Sequence, residues 1–234
     1  MKYKTALPYF PEEDIKYILH EMEKLLKGDG LLSMGKNVQK FEKDFANYIG
    51  VEFAITTTSG TSALESILAA TSITKGAEII VPSQTFIATV SSVVQKGARP
   101  IFAEINNNFL LDFEDMKSKI TNKTKAVICV HFAGLIDENL LEIKSWLRER
   151  GIILIEDAAH AHGASLDNKK AGSIGDAAAF SFYSTKNMTT GEGGMITTND
   201  ELIAEKCRSI RSRGLDMRAG YEIFNELGTN QRMT

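Results

Sequence analysis

KAVICVHFAGLIDENLLEIKSWLRERGIILIED, residues 125–157, reads as a strand, a helix and a second strand. The runs AVICV and IILI are apolar on both faces, as strands buried from both sides require. Between them ENLLEIKSWLRERG (138–151) has the periodicity of an amphipathic helix and ends in basic residues and Gly151. A strand, a covering helix and a returning strand form a parallel crossover.

The same alternation extends to both sides. FAITTT (53–58), EIIVP (78–82) and RPIFAEI (99–105) are expected strands. TSALESILAATSI (61–73), TFIATVSSVVQKG (85–97) and FEDMKSKI (113–120) are expected helices between them. Pro11 followed by EEDIKYILHEMEKLLKGDG reads as an N-terminal helix with acidic residues in its first turn and Gly28 near its end; NVQKFEKDFANYIG (37–50) reads as another. After Asp157 the alternation loosens: AAAFSFY (177–183) and GMITTN (194–199) read as strands joined by a turn rather than by a helix. The pattern predicts an α/β fold, a mostly parallel sheet with helices on both faces.

The composition fits a globular protein: 234 residues, 43% hydrophobic, 24% charged and 4 prolines. A net charge of −3 with no basic block argues against a nucleic-acid partner. The densest basic stretch, with Arg208, Arg211, Arg213 and Arg218, reads as a solvated helix end in preference to an anion-binding role. Cys129 and Cys207 are far apart and form no CxxC pair, and Cys129 lies in an apolar run where a buried thiol is the default. This predicts a reducing, cytoplasmic setting without a disulfide framework or zinc site. The N-terminus has no apolar signal core and no stretch approaches 18 uninterrupted apolar residues, so the chain is not expected to span or enter a membrane.

In open α/β sheets ligands bind beyond the carboxyl ends of the strands. The segments there are TTSGTSA, SQTF, HFAG, DAAHAH and the turn around Lys186. TTSGTSAL passes through Gly60 into a helix whose N-terminus and hydroxyls, including Thr61 and Ser62, suit an anion; a capped helix start with no ligand explains it equally well. It is not a nucleotide P-loop. Asp157 ends a hydrophobic strand, and a helical turn would put His160 on its face. With His162 pointing elsewhere and no third His or Cys near, a cap or an organic-ligand contact is expected there rather than a metal. Phe86 reads as core, or as a flat face for a ring. Lys186 follows a buried-looking strand and precedes Gly191, Gly193 and Gly194; a lysine held partly desolvated there becomes a nucleophile toward a carbonyl. Phosphate cradle, strand-end acid, aromatic face and poised lysine are together the parts that hold pyridoxal phosphate (PLP).

The chain resembles the DegT/DnrJ/EryC1/StrS family of PLP-dependent sugar aminotransferases, which have the aspartate aminotransferase fold. The resemblance runs in order through GLLSMGKNVQKFEKDFANYIGVEFAITTTSGTSAL, VPSQTFIAT, IEDAAHAHGA, FSFYSTKNMTTGEGGMITTND and LGTNQRMT. It implies the family's large domain, a mixed seven-stranded-type sheet sandwiched by helices, over residues 1–234 with an N-terminal helical segment over about 1–50. The sequence stops within the LGTNQRMT block, so the smaller C-terminal domain is expected to be absent.

Carried over by resemblance, Lys186 is the Schiff-base lysine and proton shuttle, and Asp157 pairs with the pyridinium nitrogen. His160 stands by the phenolic oxygen where the family usually has Gln or Glu, and Phe86 stacks on the ring. Gly60, Thr61, Ser62 and Ser181 hold the phosphate, and Asn230 reaches the neighbouring subunit's phosphate. The implied reaction moves an amino group from an amino acid, usually glutamate, to a keto group of a nucleotide-linked deoxysugar, in a homodimer with a shared site. Related 3-dehydrases carry histidine in place of the lysine, so Lys186 favours transamination. Arg213-Gly214 replaces the family's usual His-Gly pair and marks a different substrate-side contact. Two other readings stand beside this one: a truncated, inactive relative acting as a subunit or binding module, and another type I PLP enzyme. A desulfurase needs a mobile catalytic cysteine, which neither Cys129 in a strand nor Cys207 in a helix supplies.

Overall fold

The computed structural model describes residues 8–71, 73–215, 223–224 and 226–234. Two helices lead the chain, α1 (Glu12–Leu26) and α2 (Lys36–Ile49). Then follow β1 (Phe53–Thr57), α3 (Gly60–Ala70), β2 (Glu78–Pro82), α4 (Ile87–Gln95), β3 (Arg99–Ala103), α5 (Phe113–Ser118) and β4 (Thr124–Val130). After a short 3-10 turn come α6 (Leu140–Arg148) and β5 (Ile153–Asp157). The small hairpin β6 (Ser165–Leu166) and β7 (Lys169–Lys170) precedes β8 (Ala177–Ser181), β9 (Gly194–Thr198) and α7 (Glu201–Arg211).

Seven strands form one sheet in the order β1-β9-β8-β5-β4-β2-β3. The pairs among β3, β2, β4, β5 and β8 are parallel, whereas β9 is antiparallel to both β8 and β1. Because β9 alone is reversed, β1 runs in the same direction as β8, and its carboxyl end opens on the same edge of the sheet. The expected mixed, mostly parallel α/β sheet is the fold observed.

Strand residues alternate between two apolar layers, as the period-2 pleat dictates. Ile79, Val81, Ile128, Ile155 and Ile196 pack in one layer with Leu64, Ile67 and Leu68 of α3 and Cys207 and Ile210 of α7. On the other face Ile80, Val127, Cys129 and Leu154 meet Leu140, Ile143 and Leu147 of α6. Beside them Phe180, Phe182 and Met195 meet Phe45, Ala46 and Ile49 of α2. Both cysteines are free and buried. α1 is different: it buries no residue, and Ile15, Ile18, Leu19, Met22 and Leu26 are all exposed.

Two expectations change. The segment after Asp157 is a pair of turns, not a helix, so His160 and His162 are placed by loop geometry. Arg211 is not solvated: it is 4% exposed and donates from Nη1 to Glu42 Oε1, and to Thr56 O and Oγ1 at 2.9 Å each. A guanidinium that meets a carboxylate and two further acceptors can be buried where an unpaired one cannot. Arg208 lies over the Phe53 ring, Arg213 is exposed, and Arg218 lies outside the described residues. Among the described residues no helix is long and apolar enough to cross a membrane, and no three His, Cys, Asp or Glu side chains gather as a metal site.

Candidate active site

The carboxyl ends of β1, β2, β4, β5 and β8 surround a cleft of about 620 Å3. Its wall includes Gly60 and Thr61 from the start of α3, Phe86 just before α4, Asp157 at the end of β5 with His160 beyond it, and Ser181 at the end of β8 with Lys186 beyond it. Seven residues expected at one site from distant parts of the sequence therefore share one cavity. Phe86 is 72% exposed, which settles its reading: it is a cleft wall, not core.

The floor at α3 is built by close approach. Ser59 caps the helix, its Oγ accepting from Ser62 N at 3.1 Å while Ser62 Oγ accepts from Ser59 N at 2.9 Å. This reciprocal box fixes the first turn. A Cβ at Gly60 would stand 2.9 Å from Ser181 Cβ, and one at Gly194 would stand 2.2 Å from Ser59 O. Only glycine lets the helix start sit against β8 and β9. Ser62 is buried and is not among the residues of the cleft wall, and its hydroxyl bonds to Ser59 in the cap. Ser59 lines the cleft in its place. Asn230 also lies outside the cleft wall; it bridges to Ser212 and accepts from Arg232 Nε at 2.9 Å.

Asp157 is 7% exposed and pairs through its strand with Val130 and Ala179. Its Oδ2 accepts from Thr89 Oγ1 at 2.8 Å and its Oδ1 from Ala159 N at 3.2 Å. Burial lowers the pKa of the Lys186 amine, opposed by the Asp157 charge. Burial also lowers that of His160, with the Lys186 charge adding and Asp157 opposing. Both groups are thus poised to be neutral more readily than in water.

Glu156, the acid next to Asp157, faces the other way. It is fully buried, meets His131 Nε2 at 2.8 Å, and accepts from the N–H groups of Gly172, Ile174 and Gly175. Burial pushes its pKa up, but His131 and the N–H groups of Gly175 and Gly172 outweigh that and hold it below the ordinary value. His131 itself lines the cleft. Alternation along β5 is the signal that separates the two acids: consecutive strand residues point to opposite faces. Thr85, Tyr183 and Glu192 also line the cleft and carried no sequence signal of their own.

The profile of the DegT/DnrJ/EryC1/StrS aminotransferase family matches residues 12–234. The chain belongs to that family. Among curated relatives, the GDP-perosamine synthase of Caulobacter vibrioides is 42% identical over 233 residues, covering 98% of this chain and 61% of that protein. Among solved structures, Helicobacter pylori PseC, an aminotransferase involved in the biosynthesis of pseudoaminic acid, superposes with a TM-score of 0.91 at 30% identity, over 100% of this chain and 62% of PseC. A GDP-4-keto-6-deoxymannose-3-dehydratase with a trapped PLP-glutamate geminal diamine matches with a TM-score of 0.88 at 30% identity, over 99% of this chain and 64% of its own. The chain thus spans about three-fifths of the length of these family members.

Proposed function

We propose that this chain is the cofactor-binding large domain of a PLP-dependent aminotransferase acting on a nucleotide-linked keto-deoxysugar, with glutamate as amino donor. The observation that carries the reading is the convergence of Lys186, Asp157, Phe86 and the α3 N-terminus on one cleft. The donor set fits PLP part by part. A capped helix start with a glycine pressed against β8 suits a phosphate, an exposed aromatic face suits a ring, a buried carboxylate suits a ring nitrogen and a desolvated amine suits an aldehyde.

Bound there, PLP would supply an electron sink that acidifies the Cα–H bond of the amino donor. Lys186 Nζ would hold the cofactor and, once free, move a proton to and from the substrate carbon. The Asp157 carboxylate would keep a proton on the ring nitrogen. Phe86 would cover one ring face, and His160 would stand by the phenolic oxygen. Gly60, Thr61 and Ser181 would hold the phosphate, with Ser59 replacing Ser62 in that role; Asn230 would serve a second subunit across a two-fold dimer. The similarity to a GDP-perosamine synthase supports a nucleotide-sugar acceptor.

The test is the absorbance spectrum of the purified chain with added PLP, for wild type and Lys186→Ala, followed by borohydride reduction and peptide mass analysis. The expected result is a visible band lost in Lys186→Ala, with the reduced adduct on Lys186. A folded wild-type protein with no such band would overturn the reading and leave an inactive subunit or binding module. Turnover of glutamate with a GDP- or dTDP-linked keto-deoxysugar then tests the substrate class.

A further inference from the structure

Thr89 makes a contact that the functional reading does not use. It is the third residue of α4, is fully buried, and points its hydroxyl at the end of the neighbouring strand instead of back into its own helix. A helical threonine commonly bonds a carbonyl one turn back. Here the partner one turn back is the Thr85 hydroxyl, at 2.7 Å, and Thr85 lines the cleft. Thr85, Thr89 and Asp157 therefore form a chain of two short links, 2.7 and 2.8 Å, running from the cleft wall to Oδ2.

The proton order in that chain follows from counting. An ionised carboxylate has no proton to give, and each hydroxyl has one. Thr89 must then donate to Asp157 Oδ2, and the remaining proton in the Thr85–Thr89 link must come from Thr85. Each donor polarises the next, so the bond that reaches the carboxylate is strengthened. Asp157 Oδ1 is tied separately by the Ala159 N–H, so both oxygens are fixed and a lone pair on the carboxylate is left for the cleft.

We infer that Thr89, oriented by Thr85, is a positioning residue that holds the Asp157 carboxylate with an acceptor aimed into the cleft. The inference rests on the proposed function, because the group Asp157 would serve is the ring nitrogen of PLP. Partners behind a ligating residue fix its orientation and charge, and their loss typically costs about 10–100-fold in affinity or activity at metal sites. A carboxylate held this way would also keep a bound ring's nitrogen protonated, which would draw charge from the rest of the ring. Losing the hold lets that charge return, so the group responsible for the lysine-dependent band keeps its proton to higher pH.

Thr89→Val has nearly the same shape and lacks the hydroxyl; Thr89→Ser keeps the hydroxyl, and Thr85→Val removes only the outer link. Each 234-residue chain is titrated with PLP by fluorescence quenching, and the visible band of each is followed against pH. Thermal unfolding without PLP serves as the folding control. Thr89→Val is expected to bind PLP about tenfold more weakly and to move the band's pH midpoint upward. Thr85→Val should do the same to a smaller extent, and Thr89→Ser should restore both values. If wild type gives the band and both valine variants match it, the positioning role is overturned while the cofactor reading survives. If wild type gives no band, the cofactor reading fails and this inference falls with it. Should Thr89→Val not fold, Thr85→Val against wild type decides the question by the same two readouts.

Discussion

At the scale of single residues, Lys186 and Asp157 act on each other in opposite senses. Burial disfavours the ammonium, and the Asp157 charge restores part of its stability. Replacing Asp157 with Asn removes an anion and keeps the shape, so the Lys186 pKa should fall further and more free amine should be present near pH 8. The expected outcome, without PLP, is severalfold faster labelling of Lys186 by an amine-directed acylating reagent in Asp157→Asn than in wild type, read by mass analysis of the Lys186 peptide. Slower labelling would mean that Asp157 exposes the amine instead of holding it charged. Which of these residues could be seen in the sequence follows from how each is placed. Lys186, Asp157 and Gly60 stand just past apolar runs, where fold geometry puts ligands. Thr85 also follows an apolar run, in SQTF, but nothing in the sequence ties its hydroxyl to Thr89 or Thr89 to Asp157, because a hydroxyl's partner is chosen by how α4 is placed over the sheet. Ser62 stays ambiguous in the sequence because a hydroxyl at a helix start serves an anion and a capping box equally well; in the fold it closes the box with Ser59.

At the scale of elements, the layer between α2 and β8 contains a titratable group without a partner. His162 packs against the Phe180 and Phe182 rings at centroid distances of 5.4 and 5.2 Å, and those rings meet Phe45 of α2. Neither ring nitrogen has a partner in hydrogen-bond geometry; the Ser181 main chain lies near enough only to favour the charged form a little. Burial, with smaller repulsion from Lys186 and His160, brings the His162 pKa down to about 4. Above its ordinary value of 6.5 both folded and unfolded states are neutral and pH has no effect through this group. Between about 6.5 and 4 only the unfolded state takes the proton, so stability falls as pH falls. From pH 7 to pH 5 this amounts to about 2 kcal/mol. His162→Leu fills a similar apolar space and cannot titrate. Urea unfolding at both pH values should show wild type losing about 2 kcal/mol more than the variant on acidification. Equal losses would show that the imidazole reaches a proton acceptor in the folded protein.

The order of strands was not legible in the sequence, for the same reason that their existence was. β2, β4, β5 and β8 are apolar on both faces, so their pattern announces burial but not which neighbour each takes. The reversal of β9 was legible only as a turn too short for a covering helix. The absence of a helix after Asp157 was not legible, since Ala-rich DAAHAH has good helix propensity and its turns are set by contacts with β8.

At the scale of the whole molecule, α2 is joined to the sheet by more than apolar contact. Arg211 at the end of α7, Glu42 in the middle of α2 and Thr56 in β1 form one buried knot. Glu42 Oε1 also accepts from Thr56 N and Thr56 Oγ1, both at 2.9 Å. Charged residues are seldom buried, which is why a basic helix end reads as solvated from sequence. In this knot the geometry differs from a surface pair, whose median contribution is about 0–1 kcal/mol. Removing one partner strands the other charge away from water, so Glu42→Leu alone or Arg211→Met alone should cost about 3–5 kcal/mol each. The double variant Glu42→Leu/Arg211→Met leaves no stranded charge and should recover most of that loss. Urea denaturation of all four proteins closes the cycle, and the coupling should be large and favourable to the double variant. Single losses below about 1 kcal/mol that simply add would show that each charge reaches water by itself. The knot would then mark the register of α2 on β1 without holding it.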